Sequence, residues 1–170
     1  MDRKIAGLMR ESAKRNDSAS LNSWEVAMVT ISRSTTIHAR IDDVFSFLED
    51  KAPIPEFLPK MIEVSEIRDL PNRGKHHHWT RKTAGLRYEG HRGQFEAVPN
   101  KKLVSKNETG TGSTITWLME GHGDDTDVTF KADYKVLVPV PGRLAEKAVV
   151  ELNEYETETM LANLKTLIEA

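Results

Sequence analysis

The chain has no cysteine among its 170 residues. Disulfides, iron–sulfur clusters and thiolate zinc sites are thereby excluded, and nothing points to an oxidising compartment. No apolar run approaches the roughly 20 residues of a membrane-spanning helix. The opening residues, MDRKIAGLMRESAKRNDSASLNSW, lack the continuous apolar stretch of a secretion signal. An excess of one charge is missing too: 24 Lys and Arg stand against 26 Asp and Glu. Without a basic stripe, nucleic-acid binding is not expected. These absences leave a cytoplasmic protein as the expectation. Aromatic residues make up only 6% of the chain, so each one weighs heavily when strand faces are assigned.

What is present suits one globular domain. Hydrophobic residues are 38% and charged residues 29%, enough apolar side chains for a single core. Residues 1–23 read as a flexible extension. Ile5, Leu8 and Met9 could form one short apolar helix face, but KRNDSASLNS then reads as a polar linker. The domain is expected over residues 24–170.

Its elements follow from periodicity. Val26 to Ile37 is rich in β-branched residues and alternates as a half-buried strand. In RIDDVFSFLED the period changes, with Ile41, Val44, Phe45 and Leu48 on one helical face and two aspartates in the first turn. The three prolines of APIPEFLP leave room for one short helical turn. Six strands are then expected: 61–69, 75–83, 87–98, 103–108, 113–120 and 127–138. In the last, Val128, Phe130, Ala132, Tyr134 and Val136 face one way and Thr129, Lys131, Asp133 and Lys135 the other. No Gly or Pro interrupts 143–170. That segment is expected to be a helix roughly 40 Å long, with an apolar line through Leu144, Ala148, Leu152, Tyr155, Thr159 and Asn163 or Leu164. A sheet with one apolar face closed by a long helix is an α+β architecture that tends to enclose a cavity.

The order also resembles the START-like superfamily (SRPBCC), in particular the polyketide cyclase/dehydrase and lipid-transport group with the helix-grip fold. VTISRSTTIHARIDDVFSFLED resembles the opening strand, turn and helix of these domains. PEFLPKMIEV resembles the connection into the second strand. YEGHRGQFEAVPNKKLVSKNE resembles the central hairpin, and LNEYETETMLANLKTLIE the closing helix. The resemblance implies a curved antiparallel sheet wrapped around the C-terminal helix, with two short helices after the first strand. It implies a hydrophobic or amphipathic ligand, lipid- or polyketide-like, between sheet and helix. The group shares no catalytic motif, so the resemblance assigns no catalytic residue.

The stretch KHHHWTRKTAGLRYEGHR, Lys75 to Arg92, poses the sharpest question. A two-residue loop at Gly85-Leu86 pairs Arg81 with Gly90; a loop at Ala84-Gly85 shifts the register by one residue on each strand. Either way His77, Trp79, Arg81 and Thr83 share a face with Tyr88, Gly90, Arg92 and Gln94. Trp79 and Tyr88 mark that face as inward, and Phe95 then needs a bulge or exposure. His76, His78 and His91, with Glu89, could be metal ligands by residue type. They are expected instead to face water, and His77 points away from them, so no metal and no cofactor are expected.

Two inward arginines are costly to bury without an anion or acceptor partner. That partner is either a Glu or Asp of the last helix or a carboxylate, phosphate or carbonyl of a ligand. The expected ligand-binding set is therefore His77, Trp79, Arg81, Tyr88 and Arg92, with Trp117, Tyr134 and Tyr155 as the apolar wall, although such aromatics more often serve the core. GTGS at Gly110 and GHGDD at Gly121 read as turns. Three functions stay open: a small-molecule binder or carrier, a cyclase, aromatase or dehydratase using Tyr88, His77 or Tyr134 as acid–base groups, and a module binding a protein partner. A homodimer stays open as well.

Overall fold

The computed structural model describes residues 24–71, 74–83, 85–109, 112–139 and 143–170. The extension read at residues 1–23 lies outside the described residues. Seven strands form one antiparallel sheet: β1 (Trp24–Ile37), β2 (Met61–Asp69), β3 (Lys75–Thr83), β4 (Leu86–Val98), β5 (Lys102–Asn107), β6 (Ser113–His122) and β7 (Asp125–Pro139). Their spatial order is β1-β7-β6-β5-β4-β3-β2. Helices α1 (Ile41–Glu49) and α2 (Ile54–Phe57) carry the chain from one edge strand to the other, and α3 (Arg143–Ile168) closes the concave face. This is the helix-grip arrangement expected from the sequence.

The alternation in β1 and β7 explains how the sheet sorts its faces. Val29 and Ile31 are buried, as are Val128 and Phe130. The residues between them make cross-strand bonds on the outer face: Thr30 Oγ1 donates to Asp133 at 2.6 Å, Thr36 Oγ1 donates to Asp127 at 2.6 Å, and the Ser34 and Thr129 hydroxyls meet at 2.8 Å. Each pair is directly opposed in the β1–β7 register, so the bonds fix that register as well as covering the face. At the other edge, β2 is mostly exposed and its pairing with β3 is broken twice by bulges. Such irregularity blunts an edge that would otherwise template pairing with another chain.

α1 buries Val44, Phe45 and Leu48, the face its period predicts. α3 differs from the expected line. Its core-facing residues are Thr157, Met160, Leu161 and Leu164, spaced by three and four, whereas Tyr155 is 69% exposed. Two residues are about 200° of helix rotation, which places Tyr155 opposite Thr157. Of the expected line, the side chains of Leu144, Ala148 and Leu152 lie outside the described residues. The core joins Met160, Leu161 and Leu164 to α1, to Phe57 and to Ile37, Leu103, Met119, Val128 and Phe130 of the sheet. Among the described residues, no helix is long and apolar enough to cross a membrane.

The β3–β4 hairpin takes the second of the two registers: Thr83 pairs with Leu86, Arg81 with Tyr88, Trp79 with Gly90 and His77 with Arg92. Gly85 sits in the turn at φ 80°, a conformation that glycine adopts without strain. Phe95 falls where the β4–β5 register shifts between Gln94 and Glu96. It is 42% exposed and lies under the Lys106 ammonium, 4.5 Å from the ring centroid. Bulge and exposure together resolve its place on the outer face.

Candidate functional site

Between the sheet and α3 lies a cavity of about 330 Å³. Leu48, Phe57, Trp117, Phe130 and Met160 supply apolar wall, with polar groups converging from β3, β4, β5 and β6. Trp117 meets Phe130 edge-on at 4.8 Å between centroids and Phe57 at 6.5 Å, so it joins the core to the cavity wall.

The inward side of the β3–β4 hairpin forms the polar wall. His77, Trp79, Arg81, Arg92 and Gln94 all line the cavity. Trp79 lies close against its cross-strand neighbour Gly90: a Cβ added at Gly90 would come 2.5 Å from the indole ring. Glycine at this position is what allows the ring to cross the neighbouring strand.

Arg81 and Arg92 have opposite surroundings. Arg81 Nη2 donates to Glu156 Oε2 of α3 at 3.4 Å, and Lys60 reaches the same carboxylate. This is the pairing with the last helix that the sequence left as one alternative. Arg92 has no carboxylate partner among the described residues. Its Nη1 donates to Ser105 Oγ at 3.4 Å and its Nη2 to Ser113 Oγ at 2.9 Å. Burial pushes its pKa down to about 10.

Two further basic groups stand near Arg92. His77 is 3% exposed. Burial, reinforced by the charges of Lys51 and Arg92, pushes its pKa down to about 3, so the ring is neutral at physiological pH. Lys51 is also buried, its Nζ donating to the Leu48 carbonyl at 2.8 Å. Burial lowers its pKa to about 8, with Glu49 opposing the shift and Lys75 and Arg92 adding to it. Gln94 is 1% exposed, and neither atom of its amide has a partner among the described residues; the same holds for His77 Nδ1 and Trp79 Nε1.

On the other side of the cavity, Asn153 Nδ2 donates to the Tyr134 hydroxyl at 2.5 Å. Burial raises the Tyr134 pKa; the Asn153 donor works against that shift, and the nearby Glu156 and Glu154 add to it.

Of the eight residues expected to bind, the structure brings six to the cavity: His77, Trp79, Arg81, Arg92, Trp117 and Tyr134. Tyr88 is 47% exposed near the hairpin turn and Tyr155 projects from the outer side of α3; neither borders the cavity. Lys51, Ser105, Ser113, Asn153 and Glu156 were not singled out. Ser105 and Ser113 sit at inward positions of alternating strands, a signal that strand parity holds. Lys51 follows α1 in a connection with no period to reveal it.

The outer-face histidines correct another expectation. His76 is 6% exposed rather than solvated. Its Nε2 lies 3.0 Å from Glu108 Oε2, and its ring stacks on His91 with centroids 5.4 Å apart. His78 packs 5.0 Å from His91 and meets Ser65 Oγ at 3.4 Å. The rings cover one another and the carboxylate covers them, which sequence parity alone does not reveal. Among the described residues, no group of three or more His, Asp or Glu is placed to hold a metal ion.

Comparison with known proteins gives the fold its relatives. A model of the polyketide cyclase/dehydrase and lipid transport family matches residues 28–169. No curated protein matches the chain. Similar solved structures include TTHA0849 from Thermus thermophilus and a START superfamily protein from Mycobacterium smegmatis. Each has a TM-score of 0.70 and 17% identity, over 82% of this chain and 97% of the other. The Zhui aromatase/cyclase from Streptomyces sp. R1128 has a TM-score of 0.67 and 15% identity, over 84% and 94%. At these identities the likeness concerns the fold.

Proposed function

Since the chain belongs to the polyketide cyclase/dehydrase and lipid transport family, we propose that it binds a hydrophobic or amphipathic small molecule between its sheet and its closing helix. The observation that carries this reading is the cavity itself. Its volume, about 330 Å³, falls within the range of small-molecule sites, roughly 300–1,000 Å³. Its make-up is also that of such sites: an apolar wall with a few converging polar groups. In this reading the protein works in the cytoplasm on a lipid- or polyketide-like ligand and needs neither a cofactor nor a nucleic acid. Native mass spectrometry of the freshly purified chain should detect a co-purifying small molecule, and Ala132→Trp, which projects an indole into the cavity, should abolish it. A bound mass that persists unchanged in the filled variant would place the ligand elsewhere.

A second reading, catalysis of cyclase, aromatase or dehydratase type, is favoured by one observation. The Tyr134 hydroxyl accepts a hydrogen bond from Asn153, leaving its own proton to be donated to a substrate oxygen. A thioester-linked poly-β-carbonyl chain incubated with the protein should then give a ring product. Tyr134→Phe should lose that turnover while retaining binding. Absence of any product with the unmodified protein leaves the binding role alone.

A further inference from the structure

We infer that the cavity holds its ligand by a carboxylate, seated among Arg92, Lys51, His77 and Gln94. This deepens the binding role proposed above and rests on it. Lys51 is buried and Arg92 half-buried, and neither cation has a carboxylate partner among the described residues. Several cations elsewhere in the fold do have carboxylate partners: Arg81 meets Glu156, Arg33 meets Glu154 and Glu158, and Arg87 meets Glu89. A buried cation without a counter-charge carries a large desolvation cost, which an anion in the cavity would relieve.

The neighbouring hydrogen bonds point the same way. A guanidinium has donors and no acceptor. The Ser105 and Ser113 hydroxyls accept from Arg92, so their own O–H groups remain to donate. Gln94 adds an amide with no partner, and neutral His77 a ring nitrogen with none. Such a wall fits an acceptor that bears charge. Arg92 presents a planar fork, the shape that matches a carboxylate. Its charge is permanent, and Lys51, with a pKa lowered to about 8, is still mostly charged at pH 7. Arg81 differs from Arg92 in already meeting a carboxylate, Glu156, which it shares with Lys60. The apolar body of the ligand then lies along Ile115, Trp117, Phe130 and Ala132.

Two pairs of probes test this: decanoate with decanamide, and 2-naphthoate with 2-naphthamide, each pair alike in shape and different in charge. By titration calorimetry on the full chain at pH 7, the acid of at least one pair should bind at least about tenfold more tightly than its amide, as a charge-assisted contact implies. Arg92→Gln should bring the acid to the level of the amide, and Lys51→Met should reduce the preference severalfold, with each variant's fold verified by its melting curve. Should a variant not fold, the acid–amide comparison on the unmodified chain decides alone. Amides that bind as tightly as their acids in both pairs would overturn the carboxylate seat and leave the cavity reading intact. Decyl phosphate binding more tightly than decanoate would also overturn it, in favour of a phosphate. If no probe binds, the co-purifying molecule decides: one bearing a carboxylate supports the inference and one without overturns it. No probe bound and nothing co-purifying would defeat both this inference and the binding role.

Discussion

Arg81 of β3 and Glu156 of α3 meet at 3.4 Å, with Lys60 on the same carboxylate, tying the far side of the sheet to its closing helix. The groups are partly exposed, so their mutual attraction is screened and modest. Glu156→Gln should cost about 1 kcal/mol, seen as a fall in Tm of roughly 2–4 °C for a domain of this size. A loss that stays the same from low to high salt would show that the contact is not electrostatic.

Gly90 is the position where the β3–β4 ladder admits Trp79. Because a Cβ there would overlap the indole, Gly90→Ala should destabilise the fold by about 1–3 kcal/mol through overpacking. Urea unfolding should show the loss, and tryptophan fluorescence should report a moved ring. Unchanged stability would mean that the indole has another resting place.

His77 gives the fold a dependence on acid. In the folded state its pKa is pushed down to about 3, by burial and by the charges of Lys51, Arg92, His76 and His78; unfolded, it returns to about 6.5. The unfolded chain therefore binds a proton that the folded chain refuses, so stability falls as pH drops from about 6.5 toward 3. His77→Phe should remove that part of the decline, leaving the part due to carboxylates. Identical pH profiles for the two proteins, by denaturant melts at stepped pH, would show that His77 takes up its proton without cost.

Lys51 acts in the alkaline range by the same linkage. Its folded pKa of about 8 lies below its unfolded value of 10.5. Stability should therefore rise as pH climbs from about 8 to 10.5, because the folded chain gives up a proton that the unfolded chain retains. Lys51→Met should flatten that rise. Near pH 7 it should also stabilise the empty protein, since it removes a buried charge. A variant less stable than the parent at pH 7 would show that the Leu48 carbonyl contact outweighs the desolvation.

Much of this architecture was legible in the residues. Strands declared themselves by alternation and by the Gly, Pro and Asn between them, and the inward face of the hairpin followed from parity in either register. The expected α3 line runs on to Tyr155 and Thr159 because Leu144, Ala148 and Leu152 before them keep a helical spacing that leads there. Thr157, Met160 and Leu161 do the packing instead, whereas Leu164, which the line allows in place of Asn163, is buried. Strand parity identified the charged wall at Arg92, but not which arginine has a counter-ion, because Glu156 comes from an element some 75 positions further along the chain. Lys51 left no pattern at all: a connection is placed by the helices on either side of it, and its burial is a tertiary fact.

The arrangement of β1 bears on how the protein is made. Trp24 pairs with Pro139 and Ile37 with Thr126, so among the described residues β1 finds its sheet neighbour only in β7, the last strand of the sheet to be made. Until β7 emerges, β1 remains an unpaired ribbon rich in β-branched residues, with α1 unable to settle on Val128. Contacts of this span slow folding, since a long loop must close before they contribute. Synthesis paused before Asp125 should therefore leave a nascent chain open to protease along most of its length, and protection should appear abruptly once α3 clears the exit tunnel. The cavity closes only at the same moment, because it has no far wall before α3.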